Sequence, residues 1–503
     1  MKSQQKIIDM RASLKFLEKK NSDFWFVEQK SEPIMLFHKA AENVPAYKDF
    51  LKQNKINPDK IKTWEDFQKV PIGTKSNYLR KYSLEKLCWN GTLDNKTVVF
   101  TATSGSTGEP FYFPRTQDLD WQYSLVIESF LKHKSFKTGP TLVVMCFGLG
   151  VWIGGILTYR ALEIASQRSN NKVSIITPGI NKKEIFNALK NLSPHYASTV
   201  LIGYAPFMKD IIDEAPANNV NLKKLHLNMI FAAEAFTENF RDYLAKKANI
   251  KNLFLDTMNI YGTADIGAMA YETPLSILIR RIACKKPKLF NDIFGSIAKT
   301  PTLAQFNPLF VNFECVEGNI VLTGNNEIPL IRYGIGDHGG VYSYNELSAI
   351  LQKHNIDIIE EAKKSGIEEA LNKLPFVFVY ERKDFAIKLY GATIFPEHIR
   401  EALLHFSVEV HLTGKFTLVK KFDKKHNQYM EIHCELRKGV VSSSALKEKI
   451  KKAVIKNLLE KNAEYHNNYK SIPGKVKPKI ALWQNEHPLH FKPGAKQKWV
   501  EKI

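Results

Sequence analysis

Thr101-Ala-Thr-Ser-Gly-Ser-Thr-Gly-Glu-Pro110 sits between two stretches that read as β-strands, Thr97-Val-Val-Phe-Thr-Ala-Thr103 before it and Phe111-Tyr-Phe-Pro-Arg-Thr116 after it. β-Branched and aromatic residues favour extended chain, and the Ser/Thr/Gly run interrupts it, so the stretch is a loop joining two strands. Such a loop can turn several backbone N–H groups and hydroxyls toward one anion. Gly105 and Gly108 supply the backbone freedom and close approach that this needs. A polyphosphate suits it, but this is not a Walker A loop. No Gly-Lys-Ser/Thr is present, and a strand rather than a helix follows. Taken alone, a solvated hairpin turn is the plainer reading, so the decision rests on the rest of the chain.

With 503 residues the chain is long enough for two or more units, and its 44% hydrophobic and 24% charged content is ordinary for a globular protein. Five scattered cysteines without a Cys-x-x-Cys pair point to a reducing compartment, and so to a cytoplasmic setting. Residues 1–10 lack a long apolar run, so no secretory signal is expected. Residues 141–157 are apolar but hold four glycines, with Arg160 and Glu163 close behind. A buried strand over 142–147, a glycine turn and a buried helix explain them better than a membrane span. The net charge is +21, and residues 383–503 carry 24 Lys/Arg against 12 Asp/Glu. That balance favours anionic partners: a nucleotide, CoA or an acidic carrier protein. Zinc-finger spacing and repeated Arg/aromatic interleaving are both absent, so nucleic acid is not an expected partner.

Strand-like segments at 142–146, 172–177, 199–202, 229–232 and 253–258 alternate with helical ones at 182–192, 205–214 and 237–247. This βαβ rhythm predicts an α/β fold with a largely parallel sheet. Upstream, residues 5–55 read as helices. One begins near Glu32, ends before Pro45 and gives way to another there, and Thr63 caps a further helix. Short strands follow at 309–314, 318–323 and 328–333. Near 380 an α+β pattern begins, with a helix at 396–405, strands at 409–420 and 428–436, and a long helix at 444–461.

Three further stretches carry chemistry. In Asn259-Ile-Tyr-Gly-Thr-Ala-Asp265 an aromatic, a glycine and a carboxylate follow an apolar segment. Tyr261 can lie on a purine face, and Asp265 can hold Mg²⁺. In Pro329-Leu-Ile-Arg-Tyr-Gly-Ile-Gly-Asp337 a carboxylate comes after two glycines and can accept both hydroxyls of a ribose. In the stretch from Glu381 to Ile399, Arg382 offers a planar donor fork to a phosphate. Each has a plain alternative: a solvated turn aspartate for the first two, and a surface ion pair for Arg382.

Order and spacing together are more telling. The loop at 103–108, Tyr-Gly-x-x-acid at 261–265, Arg-Tyr-x-x-x-Asp at 332–337 and Arg-x-Asp…Gly-x-x-Ile-x-Pro at 382–396 resemble the adenylate-forming superfamily of acyl- and aryl-CoA synthetases. The phenylacetate-CoA ligase and capsule-biosynthesis-type branch looks nearest. Asn43-Val-Pro-Ala-Tyr47, Val70-Pro-Ile-Gly-Thr-Lys75 and Phe231-Ala-Ala-Glu-Ala-Phe236 also resemble that branch. The likeness runs over roughly residues 35–500.

The resemblance implies a large N-terminal domain, 1–380, of βαβ layers plus a β-barrel-like subdomain, and a small mobile α+β lid domain, 381–503. It implies a two-step ligase that uses ATP, Mg²⁺ and a small carboxylic acid, with CoA as acceptor. An amine or a carrier-protein thiol is the alternative acceptor, and a non-catalytic descendant the third reading. By position, Ser104, Gly105, Ser106, Thr107 and Gly108 would hold the β- and γ-phosphates. Ala233 and Glu234 would edge the adenine, with Tyr261 and Gly262 against it. Asp265 would take the metal, Asp337 the ribose, and Arg382 would also contact the nucleotide. Asp384 matches a hinge and Gly391 the loop lining a CoA channel. In Phe491-Lys-Pro-Gly-Ala-Lys-Gln-Lys-Trp-Val500, Lys496 aligns with the lysine that enters the site for adenylation, with Lys498 as runner-up. Phe147, Trp152, Tyr204, Phe207 and Phe236 would line an acyl pocket suited to an aryl or apolar acid, or serve as core.

Two departures touch the metal position. Ala264 stands where a hydroxyl residue usually precedes the acid. Asp265 replaces the usual glutamate and reaches one methylene less.

Overall fold

The computed structural model describes residues 13–94, 97–102, 111–135, 138–148, 153–168, 172–232, 235–295, 300–380, 386–390, 392–423, 428–492 and 499–502. The two strands about the Ser/Thr/Gly loop form as the sequence predicts. β1 (Val99–Ala102) pairs antiparallel with β2 (Tyr112–Arg115), Ala102 opposite Tyr112.

The βαβ rhythm gives β3 (Thr141–Cys146), β4 (Val173–Ile176), β5 (Ser198–Gly203), β6 (Leu227–Ala232) and β7 (Thr257–Thr263). They run parallel in the order β4-β3-β5-β6-β7. Every residue of β3 is buried, because helices cover both faces and alternate side chains feed two cores. Leu142, Val144 and Cys146 join Leu201, Met229 and Phe231 on one side. Val143, Met145 and Phe147 join Val200, Ile202 and Ile230 on the other. The apolar run after residue 140 is thus a strand followed by the helix Ile153–Arg168. Among the described residues, no helix is long and apolar enough to cross a membrane.

Beyond β7 the sheet turns antiparallel. It continues through β8 (Gly267–Tyr271), β9 (Thr302–Gln305), β10 (Val311–Val316), β11 (Asn319–Gly324), β12 (Leu330–Tyr342) and β13 (Phe376–Tyr380). These strands are hydrogen-bonded onto the parallel set, in the order β10-β11-β12-β13-β9-β8-β7, so one eleven-stranded sheet results.

Several local readings differ from the sequence expectation. The strand expected over 409–420 is preceded by a helical turn at Phe406–Glu409 and runs Leu412–Phe422. Residues 253–256 form a helical turn, not a strand. The Asn252 side chain accepts from the Phe254 and Leu255 amides, and this cap outcompetes the apolar pattern, so the strand begins only at Thr257. The helix expected to start near Glu32 instead starts at Ser22 and runs to Asn43 through Pro33. Burial of Trp25, Pro33, Phe37 and Ala40 on one face outweighs the backbone bond that proline forfeits. Val44 is extended, as the position before Pro45 requires, and the next helix is Pro45–Gln53.

Toward the C-terminus β14 (Ile387–Leu389) pairs with β15 (Ala392–Ile394). A separate four-stranded sheet has the order β18 (Lys479–Trp483), β17 (Gln428–Leu436), β16 (Leu412–Phe422), β19 (Val500–Lys502). The helices Pro396–Leu403 and Ser444–Lys461 close its core around Ile399, Leu418, Ile432, Ile450 and Val454. The boundary expected after residue 380 adjoins 381–385, outside the described residues.

This C-terminal sheet meets the helices Lys182–Asn191 and Ala205–Glu214 through buried ions. Lys415 Nζ lies 2.7 Å from Asp210 and 3.2 Å from Glu435. Arg437 is 2.8 Å from Asp213. Lys209 donates to Asp213 at 2.7 Å and to the Thr413 carbonyl at 2.8 Å. Lys182 bridges Glu214 at 2.7 Å and Glu486 at 3.2 Å. Gly414, at φ +92°, leaves room for the Lys209 stem, which a Cβ there would approach to 3.2 Å.

Burial alone would raise the Asp213 carboxyl, but Lys209 and Arg437 outweigh it and hold Asp213 below the ordinary aspartate range. Burial would lower Lys415, but Asp210 and Glu435 outweigh it and hold Lys415 above the ordinary lysine range. The Asp213 contribution is complete above its unfolded value, about 3.9, and is lost as pH falls through its lower folded value. The Lys415 contribution is complete below about 10.4 and is lost as pH rises through its higher folded value. The C-terminal sheet is therefore expected to stay docked from about pH 5 to neutral pH and to loosen below about pH 4, while Lys209, which burial holds below the ordinary lysine range, sets the alkaline limit. Small-angle scattering should give a constant radius of gyration across that window and an increase below it while circular dichroism still reports native strands. Loosening that begins near neutral pH would contradict this account.

Candidate active site

β7 is the last parallel strand before the sheet reverses, and its carboxyl end is the position at which open α/β sheets bind ligands. Tyr261 stands there. Its hydroxyl donates to Asp337 Oδ2 at 2.7 Å, and its ring stacks on Phe313 with centroids 6.2 Å apart. A Cβ at Gly262 would lie 2.6 Å from the Gly267 carbonyl oxygen, so the tight approach of β8 demands glycine. Two of the expected nucleotide residues, one from β7 and one from β12, are thus in direct contact.

Asp265 lies in the turn after β7 with its side chain 4% exposed. Lys75 Nζ sits 3.0 Å from Oδ1, and the Tyr333 hydroxyl donates to Oδ2 at 3.3 Å. The Asp265 amide donates to Thr263 Oγ1 at 3.2 Å, so a hydroxyl still stands beside the acid although Ala264 has none. The fully buried Arg115 ties this turn to the hairpin. Its Nε donates to Thr101 Oγ1 at 3.0 Å and its Nη2 to the Ala264 carbonyl, with Nη1 3.5 Å from the Asp265 carbonyl. Burial pulls the Arg115 guanidinium down to about 9, opposed by Asp265 and Asp120, which leaves it charged at neutral pH.

The motif arginine at 332 is a brace. Held at φ +42°, it pairs with Glu314 at 3.0 Å and donates to the Gln68 and Val70 carbonyls. The Gly73 amide donates to the Arg332 carbonyl at 3.0 Å, and the Gly334 amide to the Gly73 carbonyl at 2.9 Å. These bonds lay the Val70–Lys75 stretch along β12 and deliver Lys75 to Asp265. Lys75, Tyr333, Thr263 and Arg115 carry no role in the sequence reading. Their signal is position alone: Lys75 lies in one of the branch-like stretches, Thr263 and Tyr333 lie within the 261–265 and 332–337 motifs, and Arg115 lies in the strand after the loop.

A second buried network holds β7 itself. Arg241 pairs with Glu238 at 3.0 Å and Glu272 at 2.8 Å, and donates to Thr257 at 2.8 Å. Arg280 pairs with the same two glutamates at 2.7 and 3.3 Å. Glu272 Oε2 accepts from the Asn259 amide at 2.9 Å, two residues before Tyr261.

Of the acyl-pocket residues, Phe147 and Tyr204 meet edge-to-face at 4.9 Å beyond the carboxyl ends of β3 and β5. Gly154 faces both, and a Cβ there would lie 3.6 Å from Phe147 and 3.8 Å from the Tyr204 hydroxyl. Phe207 and Phe236 are buried with Phe231 and Phe240 in the core on the other face of the sheet from Phe147, and Tyr204 packs against both cores. Ser104, Gly105, Ser106, Thr107, Gly108, Trp152, Ala233, Glu234, Arg382, Asp384, Gly391, Lys496 and Lys498 lie outside the described residues.

An Mg²⁺ ion held mainly by phosphate oxygens takes one or two protein carboxylates. Asp265 fits that share. Its Oδ1 is paired with Lys75, which is 34% exposed, and the Tyr333 bond to Oδ2 orients the carboxylate.

No protein-family model matches the sequence. A phenylacetate-coenzyme A ligase from Pseudomonas putida is 21% identical over 407 residues, 79% of each chain. A 2-hydroxyisobutyryl-CoA ligase in its postadenylation state, in complex with R3-HIB-AMP, superposes with a TM-score of 0.66 at 14% identity, covering 98% of this chain and 91% of that one. The same ligase in its thioesterification state, with 2-HIB-AMP and CoA, gives 0.53 at 15% identity, over 98% and 92%. An acyl acid amido synthetase in complex with 2,4-DB gives 0.55 at 14% identity, over 92% and 87%. With its parallel strands and separate C-terminal sheet the chain shares the fold of these ligases, and its sequence is similar to that of a phenylacetate-coenzyme A ligase.

Proposed function

We propose that the protein is an ATP-dependent, AMP-forming carboxylate ligase that passes its acyl group to CoA. The carrying observation is the contact of Tyr261 with Asp337 at the end of β7, with Asp265 in the turn that follows and the loop-bearing hairpin fastened to that turn by Arg115. The similarity to CoA ligases supports the choice of acceptor.

In the first step a carboxylate oxygen of the acid attacks the α-phosphorus of ATP, and the bond to the bridging oxygen breaks to release pyrophosphate. In the second, the CoA thiolate attacks the acyl carbonyl of the adenylate and AMP leaves. Asp337 would hold the ribose, oriented by the Tyr261 hydroxyl. The 103–108 loop would hold the β- and γ-phosphates, and Lys496 would face the charge shared between carboxylate and α-phosphate. Asp265 would carry Mg²⁺, which neutralises phosphate charge when bound. Phe147 and Tyr204 form the aromatic wall at the strand ends, which suits an aryl or apolar acid. The structural likeness to an acyl acid amido synthetase supports a second reading, in which an amine takes the acyl group.

Pyrophosphate release screened over aryl and fatty acids, with CoA, with amines and with no acceptor, tests the proposal. CoA-dependent turnover with a thioester product supports it. An adenylate discharged only by amines moves the assignment to the second reading, and silence with every acid ends it. In the same assay Asp265→Asn is expected to raise the Mg²⁺ concentration for half-maximal release by about 10- to 100-fold. An unchanged Mg²⁺ requirement would remove Asp265 from the metal site.

A further inference from the structure

The helix Pro396–Leu403 of the C-terminal unit carries Arg400, 4% exposed. Its Nη1 donates at 2.8 Å to the carbonyl of Ala235, the residue directly after the Ala233-Glu234 pair expected at the adenine edge. Its guanidinium carbon lies 4.3 Å from the ring centroid of Trp499, the residue directly after the 493–498 stretch that holds Lys496. One cation thus joins the chain at the rim of the nucleotide position to the chain at the root of the lysine segment.

The Trp499 end is firmly built. Its ring, 4% exposed, packs on Phe416 at 4.9 Å, and its carbonyl accepts from the Leu418 amide at 2.8 Å where β19 joins β16. A cation–π contact of this kind is strengthened by desolvation. Arg400 Nε and Nη2 find no hydrogen-bond partner among the described residues. The cavity beside them, lined by Pro206, Phe240, Leu404 and Thr413, measures about 10 Å³, room for a single water. No nucleotide reaches the guanidinium through that space. Among the described residues, any effect of Arg400 on chemistry therefore passes through the two chains it joins.

We infer that Arg400 is a positioning residue for adenylate formation, fixing the root of the lysine segment against the nucleotide rim by bridging Trp499 and Ala235. The inference rests on the ligase reading above. A displacement of the reacting groups by about 1 Å costs on the order of 100-fold in rate, so the two half-reactions should separate.

The test uses the full-length protein and the acid selected by the pyrophosphate screen. Acid-dependent ATP–pyrophosphate exchange and thioester formation from the synthetic adenylate plus CoA are measured separately for wild type, Arg400→Met and Arg400→Lys, with thermal melting alongside. Arg400→Met should lower exchange at least tenfold while thioester formation changes less than threefold. Arg400→Lys, which keeps a charge over Trp499 but shortens the reach to Ala235, should show the same split with a smaller loss. Equal losses in both half-reactions, or loss in neither, overturn the inference while leaving the ligase assignment standing. A wild-type protein silent with every acid overturns both.

Discussion

Lys496→Ala is expected to lower acid-dependent pyrophosphate exchange by about 100- to 1,000-fold, the loss seen when one preorganised charge or donor is removed from a developing oxyanion. Negative charge from the attacking carboxylate and the α-phosphate converges in that transition state, and an ammonium aimed there acts without reorganisation. Buried residues stand on either side of the segment that carries it. Phe491 is 1% exposed, and Trp499 is built into the core of the C-terminal sheet. Thioester formation from a supplied adenylate has no such charge to meet at that lysine and should survive the change. Lys498→Ala is the matched control, expected to leave exchange within about threefold. The reverse pattern would transfer the role to Lys498, and loss of the second half-reaction alone would refute the role for either lysine.

The second large effect is on stability. Arg241→Met removes the guanidinium shared by Glu238 and Glu272, and the Glu272 side chain is fully buried. Burial would raise the Glu238 carboxyl, yet Arg241, Arg280 and Arg281 outweigh it and hold it down to about 2. Breaking a buried ion pair from one side leaves an uncompensated charge and costs about 3–5 kcal/mol. Because Glu272 also accepts from the Asn259 amide, the damage should reach β7 and with it Tyr261. Urea unfolding at pH 7 should show the loss in midpoint with little change in slope. A destabilisation below about 1 kcal/mol would mean that Arg280 and Arg281 suffice. The Glu238 share of this stability is complete above about pH 4.3 and falls away as pH drops toward about 2.

Much of this architecture is legible in the sequence because its cause is local. The helices Ala205–Glu214 and Ser444–Lys461 and the strand Gln428–Leu436 carry their periodicity within themselves, and the sequence reading matches their limits. β12 is less readable. Its strand signal fades after Tyr333 at Gly334, Gly336, Gly339 and Gly340, yet the strand runs on to Tyr342. Gly336, at φ +84°, serves the backbone, and the other three serve packing. A Cβ at Gly340 would strike the Phe378 ring, and one at Gly334 would press on Ile72 at 3.1 Å.

The site divides in the same way. Tyr261, Asp265 and Asp337 are legible as residue types in an ordered series of motifs. That Lys75 reaches Asp265, or that Arg115 binds the Ala264 carbonyl, depends on contacts between distant segments, and such contacts leave no mark in a single sequence. Phe207 and Phe236 show the converse, since aromatics beside a pocket and aromatics in a core have the same appearance until the face of the sheet is known.

Separate stretches are expected to meet around one ATP, and a crystal structure with a non-hydrolysable ATP analogue and Mg²⁺ tests this most directly. The expected result places the adenine against the Tyr261 ring, the ribose hydroxyls on Asp337 and the terminal phosphates on the 103–108 loop. A nucleotide bound elsewhere, with Tyr261 and Asp337 still joined to each other and untouched by it, would contradict the account.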